Sequence, residues 1–172
     1  PPPRSAPVES ADPDGVPMGA SLPPRHTTES PQFLSCADRA PASANLDRLQ
    51  FIKGVLDTEG QSHERVYDVA AAGNRARDPE TGFFEALEST VDVANASYTN
   101  TVGATHLEAL WTDPDFEASQ DAFYYVRVLE IPTPRMSTFD AKALGIEAPE
   151  PATLIERATT SAIWYDPQKR SR

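Results

Sequence analysis

Apolar and polar positions alternate with a period of two through the middle of the chain, the pattern of strands that bury one face. Leu46–Asp57 (LDRLQFIKGVLD) puts Leu49, Phe51 and Val55 on one face and Ile52 and Leu56 on the other. That strand is predicted to be covered, at least in part, on both sides. His63–Ala70 (HERVYDVA) follows across Thr58–Ser62, whose Gly60 accommodates positive φ, and the two runs are predicted to form a hairpin. Gly54, inside the first run, marks a candidate bulge. Phe33–Ala37, Thr90–Ala96, Thr105–Thr112, Ala122–Ile131 and Ser161–Tyr165 read as further strands. Leu49, Phe51, Val66, Leu110, Val126 and Val128 are the predicted core positions.

Helical pattern is brief. Ser137 with Asp140 reads as a capping box and Gly145 as the left-handed residue past the end, which predicts a helix near Thr138–Leu144. Phe83, Phe84 and Leu87, inside the polar stretch Ala71–Ser89, read as one helical turn, and Ala152–Ala158 as another. The predicted fold is therefore mainly β: an antiparallel β-sandwich with short helices and a Pro-rich, largely irregular N-terminal arm. The arm spans residues 1–32 and the β-rich domain residues 33–172.

Composition sharpens this in two ways. Ten of the 17 prolines fall within residues 1–41, while the remainder of the 172 residues is long enough for one hydrophobic core. Fifteen basic against 26 acidic residues give a net charge of −11. A chain so acidic repels phosphate backbones and anionic lipid, so neither nucleic-acid binding nor a membrane-surface role is expected. No apolar run approaches the roughly 18 residues of a spanning helix, so no membrane insertion is expected. Residue 1 is Pro rather than Met, and the chain reads as a piece of a longer polypeptide. Cys36 is the single cysteine, which excludes an internal disulfide and a thiolate zinc site.

Candidate chemistry is sparse. The histidines are His26, His63 and His106. HERVYDV lacks the second histidine of a zinc-protease helix, and on a strand His63 points away from Glu64 and Asp68. Asp113-Pro114-Asp115 and Asp57/Glu59 lack the spacing of a calcium loop and read as turns. No catalytic, cofactor-binding or metal-ligating residue is therefore assigned. Ile131-Pro132-Thr133-Pro134-Arg135 is the most suggestive surface, because two prolines stiffen the backbone that presents Arg135. Its guanidinium suits a carboxylate, phosphate or sulfate, or a local ion pair. Trp164 and Tyr165 are candidates to stack on a ligand or to pack in a core or domain seam.

Several longer runs carry a resemblance. ANLDRLQFIKG (Ala44–Gly54), DTEGQSHERVYDVA (Asp57–Ala70), VDVANASYTNTVGA (Val91–Ala104), AFYYVRVLEIPTPR (Ala122–Arg135) and ERATTSAIWY (Glu156–Tyr165) look like the C-terminal part of the bacterial family known as domain of unknown function 3604. GVPMGASLP (Gly15–Pro23) is similar to the stretch just before it, and residues 1–14 lie outside the resemblance. The resemblance implies a large, often exported protein, hence a periplasmic or secreted location. It also implies an N-terminal part similar to PHP-type (polymerase and histidinol phosphatase) metallohydrolases, which holds a divalent metal through a His-x-His motif that is not in this sequence. This chain would then be the non-catalytic C-terminal segment of a metal-dependent hydrolase acting on a small anionic phosphate or sulfate ester. Its partners would be the hydrolase domain and that substrate, with Arg135, Trp164 and Tyr165 as the expected substrate or domain-seam contacts. The competing reading is an independent β-sandwich binding or interaction module without enzymatic activity.

Overall fold

The computed structural model describes residues 15–24, 29–57 and 59–168, so His26 lies outside the described residues. The chain runs β1 (Ser21–Leu22), β2 (Gln32–Asp38), β3 (Leu46–Leu56), β4 (Ser62–Ala71), β5 (His106–Thr112), β6 (Ala122–Glu130), β7 (Thr133–Pro134), α1 (Met136–Leu144), β8 (Thr153–Leu154), β9 (Arg157–Thr159) and β10 (Ile163–Tyr165). A main sheet has the order β1-β10-β6-β3-β4, with β9 also on β6; β2 pairs β5 and β7 pairs β8 in two small ribbons. Every pairing is antiparallel except β1 with β10. The predicted mainly β, antiparallel sandwich is what forms. Within the proline-rich arm, Ser21–Leu22 contributes an edge strand.

The strand register explains the core. Phe51 lies between Val126 and Tyr67, and Leu49 opposite Val128, so one parity of β3 and β6 faces the β2–β5 ribbon. There Phe33 meets Phe51 and Tyr124 at ring separations of 5.5 and 4.5 Å, and Trp111 stacks on Phe51 at 4.7 Å. Leu46, Leu49 and Leu107 form an adjoining cluster with Val126 and Val128 against it. Leu49 and Phe51 are buried as predicted, while Val66, Val126 and Val128 are half-buried. Leu110 is not a core residue: it is 68% exposed, opposite Leu34 on the outer face of the ribbon. In HLEALWT both parities carry an apolar residue, and the larger Trp111 side wins the interior.

The sandwich also encloses charge. Asp113, fully buried, lies 2.6 Å from the Lys53 ammonium, accepts the Tyr124 hydroxyl at 2.7 Å and accepts the Asp115 amide at 3.0 Å. Lys53 also donates to the Asp115 carbonyl at 2.6 Å. Asp113 is thus more than the turn residue its sequence setting suggested: it locks the β5–β6 connection into the core. Burial pushes the Tyr124 phenol far above its usual range, and the Asp113 hydrogen bond adds to that. Burial, followed by the hydrogen bond to Asp115, raises Tyr67 to about 12.

Local predictions failed where side chains or strand edges claimed the backbone. Thr90–Ala96 is a turn rather than a strand: Asp92 accepts the Asn95 amide, Asp92 and Ser97 exchange backbone bonds, and Ala96 has φ 45°. Ala152–Ala158 contributes β8 and β9 rather than a helical turn. β10 covers β6 only from Ala122 to Tyr124, and β9 supplies partners for Arg127–Leu129. Phe83–Leu87 is not helical either. Asp68 accepts the Phe84 amide at 2.8 Å, and Arg77 donates to the Asp68 carbonyl while lying over the Phe84 ring. The bulges of β3 fall at Leu46/Arg48 and Leu49/Gln50, not at Gly54.

Candidate functional site

Two separate surfaces hold the predicted contact residues. Arg135 stands at the start of α1, at one end of β6. Its amide donates to the Ala152 carbonyl and its own carbonyl accepts the Thr138 amide, so backbone bonds fix the helix entry. The Thr138 hydroxyl donates to the same Ala152 carbonyl at 2.6 Å. Arg135 is the N-cap residue with no side-chain capping bond, so α1 begins at Met136 and the Ser137–Asp140 capping box does not form. Gly145 ends the helix in the left-handed conformation, as predicted. The Arg135 side chain is exposed, and among the described residues it enters no ion pair.

Around Arg135 the helix presents large apolar residues to solvent. Thr138 and Ala141 face inward, whereas Met136 is 73%, Phe139 45% and Leu144 71% exposed, as is Ile146, just past the helix, at 62%. The sequence reading missed this feature. The signal was available in MSTFDAKAL, whose inward positions are the small Thr138 and Ala141, leaving the bulk on the outward side.

Trp164 and Tyr165 belong to the other end of β6. Trp164 pairs with Phe123, and seven residue steps along β6, roughly 23 Å, separate that position from Glu130, beyond which the chain continues to Arg135. Arg135 and Trp164 are therefore not brought together. Tyr165 points into the core, where it meets Phe116 edge-on and donates its hydroxyl to the Ala118 carbonyl at 2.8 Å. Trp164 points to the opposite face, is 53% exposed, and lies 5.4 Å from the Phe123 ring. A cleft of about 540 Å³ opens there, lined by Gly54, Leu56, Phe123, Trp164, Asp121 and Asp166 among others. Gly54 builds it, since a Cβ at that position would overlap the Phe123 ring. This accounts for the glycine that the sequence suggested as a bulge.

The remaining polar candidates form local pairs. His63 bonds Asp57 at 2.7 Å on the exposed hairpin, and Asp57 also accepts the Glu59 and Gln61 amides. The His63 hydrogen bond, reinforced by the Gln61 amide, lowers the Asp57 carboxyl. His106 lies 2.8 Å from Asp38 across the β2–β5 ribbon and 3.7 Å from Glu108. The Asp38 hydrogen bond raises His106 above its usual value. Among the described residues no three His, Cys, Asp or Glu side chains converge as a metal would require. The described residues therefore do not fit the divalent metal that the resemblance implies. No helix among them is long and apolar enough to cross a membrane.

No curated protein and no solved structure matches the chain. A family match does run over residues 3–167, taking in residues 3–14, which the runs of resemblance from Gly15 onward had left out. The chain belongs to the family described as protein of unknown function (DUF3604).

Proposed function

We propose that this chain is the non-catalytic β-sandwich part of a PHP-like, metal-dependent hydrolase of a small anionic phosphate or sulfate ester, and that it docks on the hydrolase domain through α1. The observation that carries the docking is the outward side of α1, where Met136, Phe139 and Leu144, with Ile146 just past the helix, are exposed, and where Arg135 has no ion-pair partner among the described residues. Exposed apolar residues gathered on one element are the usual mark of an interaction surface. An arginine at the edge of such a surface suits an acidic group on the opposing domain or the oxyanion of the substrate. The catalytic groups and the metal belong to the partner domain in this reading, and the β-sandwich supplies a rigid platform.

The test is association. The chain is titrated calorimetrically with the PHP-like part of a family member, produced as a separate polypeptide. Wild type should bind with a negative heat-capacity change, the signature of apolar burial, and Met136→Asp/Phe139→Asp should lose at least tenfold in affinity. Equal affinity of wild type and variant, or no association at all, would sink the proposal.

A further inference from the structure

The cleft beside Trp164 lies at the other end of β6 from α1 and stands independently of the docking argument. We propose that it binds an organic cation of the quaternary-ammonium class. Three observations meet there. Phe123 and Trp164, 5.4 Å apart and tilted 48° to one another, give an aromatic lining, and Gly54 provides the space in which the Phe123 ring lies against β3. Leu56, 44% exposed, extends the apolar wall. Asp121 and Asp166 stand at the margin, one residue before β6 and one residue after β10, where the ladder ends at the Tyr165–Ala122 pair.

Two like charges gathered at one margin repel, and of the two carboxylates Asp166 accepts the Gln168 amide at 2.8 Å. Among the described residues neither is in an ion pair and no lysine or arginine lines the cleft. An anion would add to the repulsion, and a neutral ligand would leave it in place. A cation relieves it, and a cation carrying methyl groups also gains from the aromatic quadrupoles and from the burial of its own apolar surface. The −11 charge of the whole chain favours the approach of the same sign of ligand. A volume of about 540 Å³ exceeds that of a trimethylammonium head alone, which leaves the Leu56 wall for an attached alkyl or aryl group.

The charge requirement separates this ligand from any other amphipathic occupant. Choline and its neutral isostere 3,3-dimethylbutan-1-ol are titrated at low salt into the full chain, read by tryptophan fluorescence and by the indole N–H resonance of Trp164. Only two tryptophans are present, and Trp111 packs in the core, so the signals are separable. Choline should saturate in the millimolar range or below and the isostere should bind at least tenfold more weakly. Asp121→Asn/Asp166→Asn should weaken choline at least tenfold, equivalent to ~1.4 kcal/mol, and leave the isostere unaffected. Read by calorimetry instead, Trp164→Ala should abolish choline binding, with an unchanged thermal midpoint reporting an intact fold. Should that variant unfold, the conservative Asp→Asn pair carries the test. Equal binding of choline and its isostere would overturn the proposal, as would no saturable response to choline or tighter binding of a neutral disaccharide such as cellobiose.

Discussion

Replacing Asp113 by alanine should be among the most damaging single changes in this domain. The carboxylate is fully buried, and it balances a Lys53 ammonium that is only 3% exposed. Its removal leaves that ammonium with the Asp115 carbonyl as its remaining hydrogen-bond acceptor and leaves the Tyr124 hydroxyl without its partner. Breaking one side of a buried pair costs about 3–5 kcal/mol, because the other charge stays desolvated. Domains of this size are stable by only about 5–15 kcal/mol, so a fifth or more of the stability is at stake. Urea unfolding at pH 7 gives the value through the shift in midpoint at unchanged slope. The triple variant Lys53→Met/Asp113→Leu/Tyr124→Phe removes the three polar side chains together, leaves the amide and carbonyl of the exposed Asp115 to water, and should recover to within about 2 kcal/mol of wild type, since apolar replacement of a buried pair is often neutral. An Asp113→Ala protein within about 1 kcal/mol of wild type would refute the argument that this pair is desolvated and mutually dependent.

Three further outcomes are expected. His106 should titrate above 6.5 by NMR, and Asp38→Asn should return it toward that value. Because the folded pKa is the raised one, the stabilisation is fully present below the unfolded value near 6.5 and is lost as pH rises through the folded pKa. Gly54→Ala should destabilise by about 1–3 kcal/mol in thermal or urea unfolding, because the new methyl displaces the Phe123 ring from β3. In a full-length family member, replacing the residue that matches Arg135 by Ala and by Lys should each lower turnover or substrate affinity about tenfold, or ~1.4 kcal/mol, at unchanged folding stability. Wild-type kinetics with Ala would assign Arg135 to the scaffold.

The strands most legible in the sequence were those that alternate and pair over many residues. β3, β4 and β6 fall close to their predicted ranges because long ladders and a shared apolar face reinforce one register. Gly145 was legible because only a left-handed residue ends this helix cheaply. Of the short strands β10 was legible, whereas β1, β7, β8 and β9 were not. β8 and β9 exist to complete neighbouring edges, a demand set by tertiary placement rather than by their own residues. Val91 and Val93 mimic strand alternation, but Asp92 bonds the local backbone first and makes a turn. Leu110 went the wrong way because period two alone does not say which parity faces inward.

The surfaces were half legible. Arg135 stood out through its flanking prolines, yet the exposed helix beside it did not, because burial is decided by what Thr138 and Ala141 pack against. Trp164 and Tyr165 looked like one feature, but adjacent strand residues point to opposite faces, so one became core and the other part of a cleft. The cleft itself arises from the register of β3, β6 and β10, which brings Gly54, Phe123 and Trp164 side by side from three distant stretches of chain.

Amide hydrogen exchange compared between this chain alone and the same segment within a full-length family member tests the docking account most directly. Docking through α1 should slow exchange across Met136–Leu144 at least tenfold in the longer protein while leaving the β2–β5 ribbon unchanged. Identical exchange of α1 in both settings, or protection confined to other elements, would contradict it.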